Sequence, residues 1–336
     1  MMQESITAIM PVYNAAALLP RSLAPLVAMR ERGEIGEILV VDDGSTDDSA
    51  AVARAMGCMV LSSGGRKGPG GARNVAAQAA AGTLLWLVDA DVVVHGDAAR
   101  IIGQAFGDPG VVAVFGSYDD APAASNFLSQ YKNLVHHFYH QKSAEEAATF
   151  WAGCGVVRRS AFLAVGGFDV ERYKYPSIED IELGRRLRAA GGRIRLCPAL
   201  QGTHLKEWRF LGLVHTEVFR RALPWSRLIL ESGDTGDVLN LGGGERLRAL
   251  LAGVLVASVP LAVAGFVAWW MPVAILAAAG LANLELLRLF VRRKGVVFAT
   301  GGLLFHQLYY LYSSAAFVWS AASHVLVARR TPGPQG

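Results

Sequence analysis

Thr83-Leu84-Leu85-Trp86-Leu87-Val88-Asp89-Ala90-Asp91 is an apolar run that ends in two carboxylates. Its near-continuous apolar character suits a strand covered on both faces. The acidic pair then sits where that strand emerges. Hard cations take oxygen ligands, and a nucleotide diphosphate needs its charge neutralised before it can leave. The stretch therefore points to metal-assisted chemistry on a nucleotide-linked substrate. Two residues apart on an extended segment, the side chains of Asp89 and Asp91 are expected on one side of the chain.

Outward from this strand the pattern repeats. Ile6–Val12, Glu37–Asp42, Met59–Ser62 and Val111–Tyr118 are further strand candidates, with helical patterns between them. Ser45-Thr46-Asp47-Asp48 offers an N-cap and an acidic first turn, and Gly57 stops that helix. Lys67–Asn74 reads as a Gly-rich loop entering an Ala-rich helix over Arg73–Ala81. Strands that alternate with helices predict a doubly wound, mostly parallel α/β sheet. Ligands of such sheets bind beyond the carboxyl ends of the strands. Asp42, Asp43, Asp89 and Asp91 all lie at such ends and are expected to converge on one crevice. Residues 119–176 read as less regular, and residues 177–203 as helix then strand.

The chain has 336 residues, enough for one large domain and an appendage. Hydrophobic residues make up 52% and charged residues 18%, with a mean hydropathy of +0.32. The apolar excess lies after Leu247. The formal charge of +4 is mild. No basic run reads as a nucleic-acid stripe, so nucleic acid is excluded as the expected partner. Cys58, Cys154 and Cys197 are far apart and odd in number. They give neither zinc spacing nor a disulfide framework and suit a reducing cytosolic face. Ile6–Val12 is too short for a signal peptide.

Lys206–Leu230 mixes Trp, Leu, Phe and Arg and suits a helix lying on a bilayer surface. Gly233–Gly244 reads as a linker. Three apolar stretches follow, at about 249–270, 272–290 and 298–327, and a bilayer crossing takes about 20 apolar residues. Trp269-Trp270 suits the interfacial belt, Met271-Pro272 a tight turn, and Arg292-Arg293-Lys294 a cytoplasmic loop. Asn283, Glu285 and Arg288 make the second stretch less apolar, which suits contact with a partner helix or the interface. Two or three spans fit, and Arg329-Arg330 favours an even number. The expected organisation is a catalytic domain over 1–205, an interfacial segment and linker over 206–246, and membrane helices over 247–330. This predicts a multi-pass protein of the inner membrane with its catalytic domain in the cytoplasm.

Taken in order, Pro11–Asn14, Val40–Asp47, Lys67–Asn74, Asp89-Ala90-Asp91, Gly166-Gly167-Phe168-Asp169 and Glu179-Asp180 resemble the motifs of an inverting family 2 glycosyltransferase. The resemblance covers roughly residues 5–205 and implies a GT-A-like sheet. It implies a nucleotide pocket of Pro11, Val12, Tyr13, Asp42 and Asp43, with Gly71 and Arg73 on the phosphate or base side. Its Asp-X-Asp motif would place Mg2+ or Mn2+ on Asp91, with Asp89 on the sugar or the metal. Asp180 would be the general base that takes a proton from the acceptor hydroxyl, with Glu179 orienting the base or the acceptor. His204 is a candidate third ligand for the metal or the leaving diphosphate. The residues alone leave alternatives open. Asp43-Gly44-Ser45 is also a turn and helix start. Ser177-Ile178-Glu179-Asp180 is also a capping-box pattern. His136, His137 and His140 lack a carboxylate at matching spacing and read as surface or acceptor-side residues.

Processive polysaccharide synthases of this broad class carry Gln-X-X-Arg-Trp after the catalytic acid. Here Arg220-Arg221-Ala222-Leu223-Pro224-Trp225 lacks the Gln, which favours transfer of a single sugar. The expected donor is a nucleotide-diphospho-sugar. The expected acceptor is a lipid, lipid-linked or cell-envelope glycan, because the basic and aromatic residues of 206–230 suit an anionic bilayer. Competing readings are a sugar nucleotidyltransferase and a non-catalytic membrane scaffold. The first lacks a Gly-rich, basic first-strand loop at Ile9–Asn14, and intact Asp91 and Asp180 argue against the second.

Overall fold

A computed structural model describes residues 4–232 and 243–330. The chain divides into two compact units, Met1–Trp208 and Arg209–Gly336.

The first unit is built on eight strands: β1 (Ile6–Val12), β2 (Glu37–Asp42), β3 (Met59–Ser62), β4 (Leu84–Val88), β5 (Val92–Val94), β6 (Val111–Tyr118), β7 (Cys154–Arg158) and β8 (Arg193–His204). They form one sheet in the order β3-β2-β1-β4-β7-β6-β8-β5. Strands β1 to β4 pair in parallel, as do β6 and β8. Only β7 and β5 run antiparallel to their neighbours. The expected doubly wound, mostly parallel sheet is what forms. Both faces are covered, by Leu19, Leu23 and Leu26 with Met10 and Trp86 on one side and by Ala72, Ala76 and Leu183 with Leu87 and Phe115 on the other. Fully burying a Leu or Phe side chain contributes about 1.5–3 kcal/mol, which is why β4, buried on both faces, is apolar at every position.

Besides the short helix Arg159–Ala164, three elements went unread in the sequence. Strand β7 returns antiparallel between β4 and β6, and β5 is only three residues long. The helix Phe127–Lys142 occupies part of the stretch expected to be irregular. Asn126 starts it, accepting a hydrogen bond from Ser129 N at 2.8 Å. Strand β8 also runs six residues past Pro198 and thereby carries His204 onto the sheet, opposite Val92.

In the second unit, helical backbone runs from Phe210 to Ser232 through a π-helical segment, Thr216–Ala222. Gly243–Val263, Met271–Ala282 and Leu284–Arg330 follow. Among the described residues one helix, Gly244–Val263, is long and apolar enough to cross a membrane. Met271–Ala282 and Leu284–His324 pass the same test only together, as a pair bent by 82°. The expected continuous span at 272–290 is therefore broken, at Asn283. That side chain is buried, donates to Ala279 O at 2.9 Å and accepts from the Tyr310 hydroxyl at 3.1 Å. Tyr310 also lies 3.2 Å from Glu245 Oε2 and 3.1 Å from His306 Nε2. A buried polar group needs such partners, so the helix turns where Asn283 finds them. Arg292-Arg293-Lys294 is likewise helical rather than a loop, and a second, separate kink follows at Gly295, with φ of 84°.

Candidate functional site

Register places Val12, Asp42 and Ser62 in one row at the ends of β1, β2 and β3. Pro11 and Val12 are buried within β1, so of the three expected base-pocket residues only Tyr13 exposes its side chain, at 39%. Asp42 is half-buried and accepts from Ser45 N at 3.1 Å. Asp43 is buried, and both of its oxygens are engaged. Oδ1 accepts from Lys67 N at 2.8 Å and from the Ser63 hydroxyl at 2.7 Å, and Oδ2 accepts from Gly68 N at 2.9 Å.

That arrangement corrects the reading of the Gly-rich stretch. Gly68-Pro69-Gly70-Gly71 is not a loop ahead of a helix but the first turn of the helix Gly68–Ala79. A helix N-terminus favours an anion, and here the chain supplies its own in Asp43. A Cβ at Gly71 would lie 2.6 Å from Lys67 Cβ, and one at Gly70 would lie 3.2 Å from Phe168 Cβ. The glycines thus let this turn close onto its neighbours.

One turn along the helix, the buried Arg73 guanidinium pairs with Asp89 and lies 5.5 Å from the Phe168 ring. Its Nε has no hydrogen-bond partner. Asn74 donates to Phe168 O at 2.9 Å and accepts from Phe168 N at 2.8 Å, fixing the Gly166–Asp169 motif against this helix.

Asp89 and Asp91 do not lie on an extended segment, as expected from their spacing. Val92 N donates to Asp89 O at 3.0 Å, so Asp89–Val92 is a tight turn that folds β4 over into β5. The turn sends the two carboxylates to different partners. Asp89 meets Arg73, while Asp91 Oδ2 lies 3.5 Å from His204 Nε2. His204 is buried and stacks on Tyr118, with ring centroids 4.2 Å apart and planes 14° apart.

Asp180 and Glu179 open the helix Glu179–Ala189. The capping box read in the sequence does not form: the N-cap is Ile178, without a side-chain cap bond. Instead Glu179 Oε2 accepts from Ser177 N at 2.7 Å. Asp180 Oδ2 accepts from Ala152 N at 3.1 Å, which ties the helix start to the chain leading into β7. One turn further, a Cβ on Gly184 would lie 2.7 Å from Phe150 N. The helix packs flush at that point because position 184 has no side chain.

Electrostatics show that these groups share one space. Burial pushes Asp89 up, against the pull of Arg73, and the charges of Asp91 and Asp180 push it further. Burial, then the neighbouring Asp180, raise Glu179 to about 7. Burial also works to raise Asp91, but His204 and Lys206 outweigh it and hold that carboxyl below its ordinary value. The structure therefore brings Asp89, Asp91, Glu179, Asp180, Arg73 and His204 together. Tyr13, Asp42 and Asp43 form a second group at the ends of β1 and β2. His136, His137 and His140 belong to neither in the way expected. The Nδ1–H of His137 and that of His140 donate to the carbonyls of Tyr118 and Gly116, each at 2.8 Å, and the His136 ring packs on Tyr118 and Trp151.

Four carboxyl groups share this space with Arg73, His204 and Lys206, and the raised values of Asp89 and Glu179 mark how closely the acids are crowded. Asp91 and His204 present an oxygen and a nitrogen donor toward each other. Among the described residues no three His, Cys, Asp or Glu side chains converge on one point. Two protein donors suit a divalent ion that takes the rest of its shell from substrate phosphates and water. The donor set fits Mg2+ or Mn2+ bound in that way.

Comparison with known proteins agrees with this geometry. The family model described as "Glycosyl transferase family 2" matches residues 7–166. The succinoglycan biosynthesis protein ExoU of Rhizobium meliloti is 39% identical over 88 residues, 25% of this chain and 25% of that protein. Glycosyltransferase GlyG of Streptococcus pneumoniae is 27% identical over 122 residues, 35% of this chain and 40% of that protein. The matched segments thus span well under half the length of either relative. Among solved structures, a mannosyltransferase of Pyrobaculum calidifontis in complex with GDP-Man and Mn2+ has the same fold, with a TM-score of 0.62. The alignment covers 95% of this chain and 88% of that one at 19% identity.

Proposed function

Because its sheet domain belongs to glycosyl transferase family 2, we propose that the chain transfers one sugar from a nucleotide-diphospho-sugar to an acceptor hydroxyl with inversion. The observation that carries this reading is the meeting of Asp89, Asp91 and Asp180 beyond the ends of a mostly parallel sheet. Asp180 is the proposed base. It takes the proton of the acceptor hydroxyl as that oxygen attacks the anomeric carbon. The bond from the anomeric carbon to the diphosphate oxygen breaks, and its electron pair leaves with the nucleotide. A single in-line displacement of this kind needs one base and no carboxylate nucleophile.

Ala152 N holds the base in place through Oδ2. Burial and the charge on Asp180 keep Glu179 largely protonated near pH 6, so two adjacent carboxylates need not both be charged. Arg73 orients Asp89 toward the sugar side of the donor. Asp91 and His204 would hold the divalent ion, with Asp89 alongside; once bound, the ion neutralises charge on the departing diphosphate. Tyr13, Asp42 and Asp43 would shape the nucleoside end, Asp43 chiefly by holding the first turn of the Gly68–Ala79 helix in place.

The apolar helix Gly244–Val263 and the bent pair after it support attachment of the second unit to a bilayer, by up to two crossings. With Arg220, Arg221 and Arg227 beside Phe219 and Trp225, this supports a cytoplasmic membrane face and a lipid-linked or envelope glycan acceptor.

The test is donor turnover by the purified full chain with Mn2+, resolving the nucleotide product. Release of nucleoside diphosphate, abolished by chelation, is expected. Pyrophosphate release would make the chain a nucleotidyltransferase, and no release from any donor would leave it a scaffold. Asp91→Ala is expected to weaken metal-dependent donor binding about tenfold.

A further inference from the structure

Arg66 has no part in the reading above, yet it lies across the nucleoside end of the site. Its guanidinium carbon is 3.9 Å from the centroid of the Tyr13 ring. To reach that ring from the loop after β3, the side chain passes over the end of β2. It runs alongside Gly44, whose φ of +79° suits a glycine and where a Cβ would lie 3.5 Å from Arg66 Cγ, an ordinary contact. The loop itself is anchored. The Ser63 hydroxyl lies between Asp43 Oδ1 and the Gly65 carbonyl, and Lys67 N donates to Asp43. Arg66 thus projects from a fixed base, over a glycine, onto an aromatic ring.

Stacking uses the face of a guanidinium, while its N–H donors radiate in the plane. The Arg66 side chain is exposed, and among the described residues its guanidinium has no carboxylate or carbonyl acceptor. A cation held against an aromatic ring with unused in-plane donors suits a planar ligand that offers oxygen acceptors at its edge. The diphosphate end is provided for elsewhere, at Asp91 and His204.

We infer that Arg66, positioned by Tyr13 and by the loop anchored on Asp43, reads the nucleobase of the donor and selects bases that carry a ring carbonyl. Uracil and guanine offer such oxygens to an arginine. Adenine presents an amino group at the corresponding edge, which repels a donor. The inference rests on the nucleotide-sugar reading proposed above and specifies its donor class.

Calorimetric titration of the full chain with UDP, GDP and ADP, each with Mn2+, tests it, with Mn2+–pyrophosphate as the probe for the phosphate end. Wild type is expected to bind UDP or GDP at least tenfold more tightly than ADP. Arg66→Ala is expected to weaken the preferred nucleotide about tenfold, the scale of one hydrogen bond to a charged group. ADP and pyrophosphate should change less than twofold. Arg66→Lys should not restore the preference, because it lacks the planar fork. Arg66 is exposed, so its variants are expected to melt with the wild type.

Equal losses on all three nucleotides and pyrophosphate would make Arg66 a general electrostatic contact and overturn the inference. So would an Arg66→Ala protein that keeps the wild-type preference. Those outcomes leave the sugar-transfer reading intact. A wild type that binds no nucleotide with Mn2+ overturns both.

Discussion

The two groups of side chains at the ends of the strands are held in opposite ways. At the ends of β1 and β2, Asp43 is neutralised by the chain's own backbone, with two N–H groups and a hydroxyl on its carboxylate. At the ends of β4 and β8, Asp89, Asp91, Glu179 and Asp180 crowd together, and their charges are only partly met, by Arg73 and His204. The first end is complete without a ligand. The second holds its acids close together. The proposed function makes use of this division: a rigid group for the nucleoside end of the donor and a centre that would take up a cation with its diphosphate.

The sharpest way to break the comparison is at the unfinished end. Asp180→Asn keeps the shape of the side chain and its oxygen toward Ala152 N. It should cut turnover by 10²-fold or more, the scale of losing a general base, while leaving donor binding near normal. Near-wild-type turnover in that variant would reduce Asp180 to a tether between the helix start and Ala152. At the finished end the effect should fall on folding. Asp43→Ala removes a buried acceptor of three hydrogen bonds and is expected to cost about 2–3 kcal/mol in urea unfolding, with weaker nucleotide binding as a consequence. Unchanged stability would show that the helix start does not depend on its internal anion.

The smallest expected effect concerns Glu179. Its folded value, about 7, lies above the ordinary glutamate value of 4.5. Between those values the folded chain holds a proton that the unfolded chain has lost. The stabilisation is therefore full below about pH 4.5 and is lost as pH rises through 7. Glu179→Gln stays neutral and should escape the loss. The stability of wild type relative to the variant should fall by up to about 2 kcal/mol between pH 5 and pH 8. Parallel unfolding curves at the two pH values would place the Glu179 charge in solvent.

How much of this was legible in the sequence differs between the two ends. Strands β1, β2, β3 and β6 begin and end where their apolar runs do; β1, β2 and β6 are buried along most of their length, while β3 is a short edge strand that is only partly covered. The positions of Asp42 and Asp89 follow directly. Strand β7 follows a Gly-rich turn and pairs antiparallel with a strand some 70 residues earlier, so only tertiary contact defines it. Asn126, with apolar residues at 127, 128, 131, 134 and 135, was a readable start for the helix Phe127–Lys142. What the spacing of Asp89 and Asp91 concealed was the tight turn, which depends on β5 pairing with β8. His204 was legible as a histidine after a strand, but its approach to Asp91 depends on that same pairing. The capping pattern at Ser177 misled because local sequence cannot show that the Asp180 carboxylate is claimed by Ala152 N, across the fold.

Gly184 gives this site a tolerance. Residues four apart lie on one face of a helix, so Gly184 and Asp180 both look toward the segment from Phe150 to Ala152. A methyl group at 184 would be driven against the Phe150 backbone, and the helix would have to stand off. The displacement would be passed one turn along to the proposed base, where an error of about an ångström can cost 10²-fold. Position 184 carries no functional group, yet under the proposed mechanism it would set how accurately the base is aimed. To a designer reshaping the acceptor side of this enzyme, it is the residue to leave alone.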